Sequence, residues 1–323
     1  MKFALVTVFC SIFANASAFA EARDLRIPGE YDQGGSSARG MLNVGTTEAD
    51  GITAIQVNPA ILALTDEYSV GVSYHWADLG RDYYRAGVVD AVTSKVAAGF
   101  SYTGFQEDPE DRFLSIETRD SSALKRASLG LAYPTKFLAL GVSAYYTEGV
   151  EDGIAGKEVV KGLSLGLGLA GYILPNVKFG VSSQNLNNQK VAELAPRFIR
   201  VGVSWDVVPE WLLFLDYRDR QRVNTIEGEI AAIPGLGIND EELKGYETSE
   251  KMVFLGSRMT VYDLIRIEAV YGSSVEPDDD RSSFSAGIGI HQKNYSFSYA
   301  IANSYLEYSD LQSAISLQVH MSL

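Results

Sequence analysis

The sequence predicts an all-β fold: a 14-stranded antiparallel transmembrane β-barrel with an N-terminal hatch or plug. Three observations predict it. Stretches of about ten residues alternate apolar and polar side chains with period two, and that is the length a tilted strand needs to cross a bilayer. Short connections alternate with longer polar ones, as periplasmic turns and external loops do in outer-membrane barrels. Beyond the leader, no segment holds the run of about 18 apolar residues that a transmembrane helix requires, which leaves strands as the means of crossing.

The chain opens on Lys2 and an apolar run from Phe3 to Phe13, followed by small residues ending in Ala18, Phe19 and Ala20. This reads as a secretory signal over residues 1–20, cleaved before Glu21, and the run is too short to remain as a membrane anchor. Phe9 rather than a small residue precedes Cys10, so a lipid anchor is not expected. Cys10 is the only cysteine, so the mature chain forms neither a disulfide nor a thiolate metal site. The formal charge is −14, and loss of Lys2 makes it −15, which argues against nucleic acid as a partner. Acidic stretches begin at Glu107, Asn239 and Glu276, between strand patterns and without EF-hand spacing, so they read as solvated loop tips.

Taken in order, the strands are expected at 67–77, 82–91, 95–105, 123–133, 137–147, 160–172, 176–186, 197–207, 211–221, 250–260, 264–274, 282–292, 294–303 and 312–323. The first sets Tyr68, Val70, Val72, Tyr74 and Trp76 on an outward face against Ser69, Gly71, Ser73 and His75. Leu138, Leu140, Val142, Ala144 and Tyr146 do the same in the fifth, Leu163, Leu165, Leu167 and Leu169 in the sixth, and Tyr295, Phe297, Tyr299 and Ile301 in the thirteenth. The closing stretch turns Ile315, Leu317, Val319, Met321 and Leu323 outward and Ser316, Gln318, His320 and Ser322 inward. A charge on the lipid face near the midplane costs about 2 to 4 kcal/mol, and these runs carry none there. Tyr68, Trp76, Tyr146, Trp205, Trp211 and Tyr295 fall towards strand ends, as interfacial girdles require. A soluble β-sandwich also alternates, but it needs neither this many strands nor alternating loop lengths.

Short turns are expected after the even-numbered strands, at 93–94, 134–136, 174–175, 208–210, 262–263 and 292–293. Odd-numbered strands mostly lead into longer polar segments, the extremes being 106–122 and 222–249. That alternation sets the orientation and puts residues 21–66 in the periplasm or inside the barrel. A barrel of this size is too wide for side chains alone to fill, so the glycine-rich stretch 21–66 reads as a hatch held by the wall, ahead of a barrel over 67–323.

Inward positions are mostly small, as in Ala97, Gly99, Ser101, Thr103, Ser285, Gly287 and Gly289. A charged inward group comprises Arg200 and Asp206, Asp216 and Arg218, and Arg266 and Glu268, either a ladder that holds the wall or hatch or a filter that selects solutes. Beside it, Leu212, Phe214, Leu255 and Val270 are expected to form an apolar inward patch that packs on the hatch or takes a hydrophobic ligand. The external stretch Ile230 to Ile238 is apolar and either contacts a ligand or protein or folds into the barrel mouth. His75, His291 and His320 fall at inward positions without metal-ligand spacing, though His75 and His320 lie on the two strands that meet on closure. No nucleophile elbow, phosphate loop or paired-acid motif stands in a plausible context, so no enzyme, metal or cofactor is expected.

The run from Gly35 to Leu64 resembles the N-terminal signature of the FadL-like outer-membrane family, which includes the PorV type. Ala38 to Met41 match an Ala-Arg-x-Met start, Asp50 with Thr53 and Ala54 an acidic residue before a Thr-Ala pair, and Asn58, Pro59 and Ala60 an Asn-Pro-Ala triplet. The stretch from Pro196 to Trp205 is similar to a strand of PorV-like members. The resemblance implies a hatched barrel in the outer membrane of a Gram-negative cell, with the lipid bilayer as surroundings. It also implies passive transport of small hydrophobic molecules such as long-chain fatty acids, a lumen ligand displacing the hatch around Asn58, Pro59 and Ala60. The PorV type implies instead a non-transporting partner of proteins in export or envelope organisation. The short loops expected at 148–159 and 187–196 depart from the large external capture surface of the FadL type.

Overall fold

The computed structural model describes residues 37–49, 51–77, 81–107, 125–153, 156–187, 195–224, 246–276, 281–303 and 311–321. The leader, residues 21–36 of the expected hatch, Asp50, the apolar stretch 230–238, most of the three acidic stretches, and Ser322 and Leu323 of the expected closing strand lie outside the described residues. Fourteen antiparallel strands form one closed barrel in which each pairs with its chain neighbour and the first with the last. They are β1 (Tyr68–Ala77), β2 (Arg81–Asp90), β3 (Ala97–Glu107), β4 (Lys125–Pro134), β5 (Leu138–Gly153), β6 (Gly156–Leu174) and β7 (Val177–Gln184). The remainder are β8 (Arg197–Val208), β9 (Trp211–Asn224), β10 (Tyr246–Val261), β11 (Ile265–Ser274), β12 (Ser282–His291), β13 (Tyr295–Asn303) and β14 (Leu311–Met321). Closure runs from Tyr68↔Met321 to Ala77↔Gln312, which leaves no unpaired edge to meet lipid or another chain.

Six short turns follow the even-numbered strands, the tightest being Pro175–Asn176 and Pro209–Glu210. Most of one expected loop is strand instead. Residues 148–153 and 156–159 continue as strand, with pairs running through Glu148↔Lys161 and Val150↔Val159 to Gly153↔Gly156. The charges there suggested a loop, but beyond the bilayer a strand can carry charge on its outer face. Lys161 and Glu148 pair at 3.2 Å in that position.

The outward face is an apolar belt, from Val72 and Tyr74 through Leu129, Leu140, Leu163, Leu165 and Leu167 to Ile288, Phe297, Leu317 and Val319, all exposed on the isolated chain. Leu255 belongs to this belt rather than to the lumen, which corrects the expected inward patch. It is 60% exposed, whereas Met252 and Phe254 are fully buried. The register gives the reason: Leu255 pairs with Leu215, which is itself outward, and directly opposed residues of an antiparallel pair share a face.

The lumen holds the segment between Ser37 and the first strand. It is built of short turns: α1 (Ala38–Met41), a 3-10 turn at Gly51–Thr53, α2 (Ala54–Val57) and a 3-10 helix at Pro59–Leu64. Two apolar clusters seat it. Ile52, Ile55, Val57, Ile61 and Leu62 pack on Val89, Ala97, Ala132, Ala139 and Ala170 of β2 to β6. Ala38, Met41, Leu42 and Val44 pack on Leu212, Phe214, Met252, Phe254 and Val270 of β9 to β11. Small wall residues facing branched segment residues let the two surfaces interlock at interior density.

Candidate functional site

The Asn-Pro-Ala turn presses closely against the wall. Asn58 is fully buried, and its side-chain amide donates to Thr46 O at 2.8 Å and to Leu169 O of β6 at 3.1 Å. Its Oδ1 accepts from Ala60 N at 3.1 Å and so caps the 3-10 helix, which Pro59 starts at a position where no backbone donor is needed. The wall meets this turn with glycines. A Cβ on Gly168 would lie 2.2 Å from Asn58 Oδ1, one on Gly141 2.2 Å from Ala60 N, and one on Gly180 2.3 Å from Thr46 O. Gly141 and Gly168 are register partners, so three adjacent strands give up their side chains where the turn presses closest.

An irregular segment enclosed in a membrane barrel must find partners for its backbone groups, and the inward polar residues supply them. Ser285 Oγ donates to Ala38 O, Arg218 to Leu42 O at 2.6 Å, Arg200 Nε to Asn43 O at 3.2 Å, Tyr145 to Ile55 O at 2.9 Å and Ser182 to Val57 O at 2.7 Å. Asp216 accepts from the backbone of Gly45 and of Thr46, the latter at 3.0 Å. Gly45 has φ +99°, a conformation that suits glycine and aims its N–H at that carboxylate. The expected ladder of wall charges is thus largely a set of arms reaching the segment. Arg218 additionally pairs with Glu250 of β10 at 3.3 Å, Glu268 pairs with Arg39 of the segment at 2.9 Å, and Asp206 sits by a bulge at its turn.

Glu48 is the hub that sequence reasoning missed. Its carboxylate meets Lys178 of β7, Arg258 of β10 at 2.5 Å and Arg39 at 3.8 Å. Burial by itself pushes this carboxyl up, but Arg258, Arg39 and Lys178 outweigh it and hold it at about 2, against an ordinary 4.5. Because the folded value lies below the ordinary one, the contribution is whole above pH 4.5 and is lost as pH falls through about 2. The shift corresponds to roughly 3 kcal/mol. In wild-type protein, protease protection of the segment should weaken between those two pH values. Glu48→Gln should start weaker at neutral pH and show no such step; a step that persists in the variant would assign it to another group.

The apolar inward patch is Leu212, Phe214 and Val270 with Met252 and Phe254, and the segment covers it. Guanidinium groups lie over two of its rings, Arg39 at 5.9 Å from Phe214 and Arg218 at 4.7 Å from Phe254. His75 and His320 do not approach each other. They stand at opposite ends of the seam, opposite Ala314 and Ser69 respectively. His75 stacks on Tyr83 at 3.9 Å between centroids, and His320 stands edge-on to His291 at 5.6 Å. The three do not form a metal cluster among the described residues. Arg266 faces a cavity between the segment and β11 to β14, whose empty space is about 670 Å³ including solvent at its opening.

No protein-family profile and no curated protein matches the chain. Solved structures do. The Pseudomonas putida toluene transporter TodX superposes with a TM-score of 0.54 at 13% identity, over 89% of this chain and 97% of that one. A TodX mutant described as a monoaromatic hydrocarbon channel gives 0.56 at 12% identity, over 86% and 96%. A Pseudomonas aeruginosa FadL homologue gives 0.54 at 12% identity, over 88% and 97%. Together with the closed barrel of 14 strands, these likenesses show that the chain has a FadL-like fold.

Proposed function

We propose that the protein is a channel for small hydrophobic molecules in the outer membrane of a Gram-negative cell, closed at rest by residues 21–66 acting as a hatch. The observation that carries this reading is the apolar strip in the lumen. Leu212, Phe214, Met252, Phe254 and Val270 lie on three adjacent strands and share one buried apolar cluster with Ala38, Met41, Leu42 and Val44 of the segment. If the hatch moves, that strip loses its cover, and an apolar solute can replace the lost contacts; burying one such side chain is worth about 1.5 to 3 kcal/mol. Among the described residues the hatch is held to the wall by hydrogen bonds, ion pairs and apolar packing, contacts that can break and re-form. The similar barrels, a toluene transporter and a monoaromatic hydrocarbon channel, point to the same class of solute.

The test is uptake by intact cells making the protein, with toluene and a long-chain fatty acid as separate probes. Wild type should raise uptake of at least one several-fold, and Phe214→Ser should lower it. Asn58→Gly with Pro59→Ala, which removes the Asn58 amide's bonds to Thr46 and Leu169 together with the rigid bend, should raise the rate, since each lost hydrogen bond costs about 1 kcal/mol. Uptake equal to that of cells without the barrel, with an envelope or export protein co-purifying, would replace transport by the PorV-type partner role.

A further inference from the structure

Among the described residues, the segment packs more tightly on β3 to β7 than on β12. On β3 to β7 a Cβ at Gly99, Gly130, Gly141, Gly168 or Gly180 would meet segment atoms at 2.2 to 2.9 Å. On β12 the contact is looser: the nearest segment atom to a Cβ at Gly287 is Ala38 N at 3.3 Å, and the nearest neighbours of one at Gly289 are wall atoms alone. The cavity is the space this leaves.

Its chemistry differs from that of the apolar strip. The residues facing it from alternate inward positions of β12 to β14 are His291, Ser296, Ser298, Ser316, Gln318 and His320. The intervening Ile288, Phe297 and Tyr299 turn their side chains to the bilayer. The carboxylates at its margin already have partners. Glu67 lies 3.0 Å from His320 Nδ1 and Glu268 lies 2.9 Å from Arg39. Hydroxyls link the wall, with Ser296 Oγ 3.0 Å from His320 Nε2 and Ser298 Oγ 2.7 Å from Ser316 Oγ. Glu268 Oε2 is buried and takes no hydrogen bond among the described residues, so one strong acceptor stands ready for an O–H or N–H donor.

We infer that this chamber binds small uncharged polar molecules, polyols or amides, while the N-terminal segment stays seated. Hydroxyl, imidazole and amide groups both donate and accept, as such a guest requires. An apolar guest would strip water from these groups and return no hydrogen bonds. A free ion would exchange its hydration shell for a lining that is mostly hydroxyl, imidazole and amide groups, where the charges present, Glu67, Arg266 and Glu268, are of both signs.

Substituted cysteines test this, because Cys10 is the only native cysteine and it falls in the leader expected to be removed. Ser298→Cys and Ser316→Cys place a near-isosteric thiol in the chamber. Ala132→Cys places one in the packed cluster on the filled side, and Tyr262→Cys one on a fully exposed turn. A neutral hydrophilic thiol reagent should label the two chamber positions at least tenfold faster than Ala132→Cys. Sulfonated and quaternary-ammonium reagents of the same size should be several-fold slower there than the neutral one, after normalising to Tyr262→Cys. Glycerol or urea should slow chamber labelling at least threefold on the same normalisation. Equal labelling of chamber and packed positions, equal rates for charged and neutral reagents, or protection by toluene in place of glycerol would each overturn the inference.

Discussion

Arg39→Met is expected to unseat the N-terminal segment while leaving the barrel closed. Arg39 is 2% exposed, donates to Glu48 O at 2.5 Å, and pairs with Glu268, itself 4% exposed. Its loss strands a buried carboxylate on β11 and takes one of three cations from Glu48. Breaking one side of a buried pair costs about 3 to 5 kcal/mol, most of it the penalty of the orphaned charge. The barrel is held by 14 strand pairings that Arg39 does not join, so its heat-resistant migration should persist while the segment becomes open to protease. Glu268→Met added to Arg39→Met removes the orphan and should recover much of the protection, a coupling that a double-mutant cycle measures. If the single variant stays protected, the Arg39–Glu268 pair does not hold the seat.

Gly168→Leu is expected to turn a closed barrel into one with steady conductance in planar bilayers. Its Cβ alone would fall 2.2 Å from Asn58 Oδ1 and 2.9 Å from Ala60 N, so the turn and the new side chain cannot occupy the same place. Overpacking of this kind costs about 1 to 3 kcal/mol where a core can adjust. Here the wall strand is fixed on both sides by its ladders with β5 and β7, so the segment is the part that gives way. Gly287→Ala is the contrast: its Cβ would come no nearer than 3.3 Å to any atom, and its effect should be small. A Gly168→Leu barrel that stays closed would show that the Asn-Pro-Ala turn is not what seals the lumen.

Much of the wall was legible because a membrane barrel imposes a simple code. Lipid forbids charge on one face and the lumen tolerates small polar groups on the other, so parity alone told Tyr74 from His75 and Leu165 from Ser164. Strand ends lay within a few residues of expectation except where the β5–β6 hairpin runs beyond the bilayer and the code relaxes. Leu255 was misread for a related reason. In β10 both Phe254 and Leu255 are apolar, since the inward face there meets apolar residues of the segment, and alternation loses its meaning when both faces are dry.

The residues that hold the segment were only half legible. Arg200, Asp216, Arg218 and Glu268 stood out as inward charges on an otherwise small-residue lumen, and Asn58, Pro59 and Ala60 as a rigid turn. Arg39 and Glu48 did not, because a charge in a glycine-rich irregular stretch carries no periodic sign of its direction. From the sequence itself come the strand number, the lipid face and the alternation of short turns with longer connections, since each rests on neighbours two residues or one hairpin apart. Only the tertiary structure decided which wall group meets which segment atom. Arg39 finds Glu268 across 229 residues and Asp216 finds Gly45 across 171, where the path of an irregular backbone sets the partner and no local pattern encodes it.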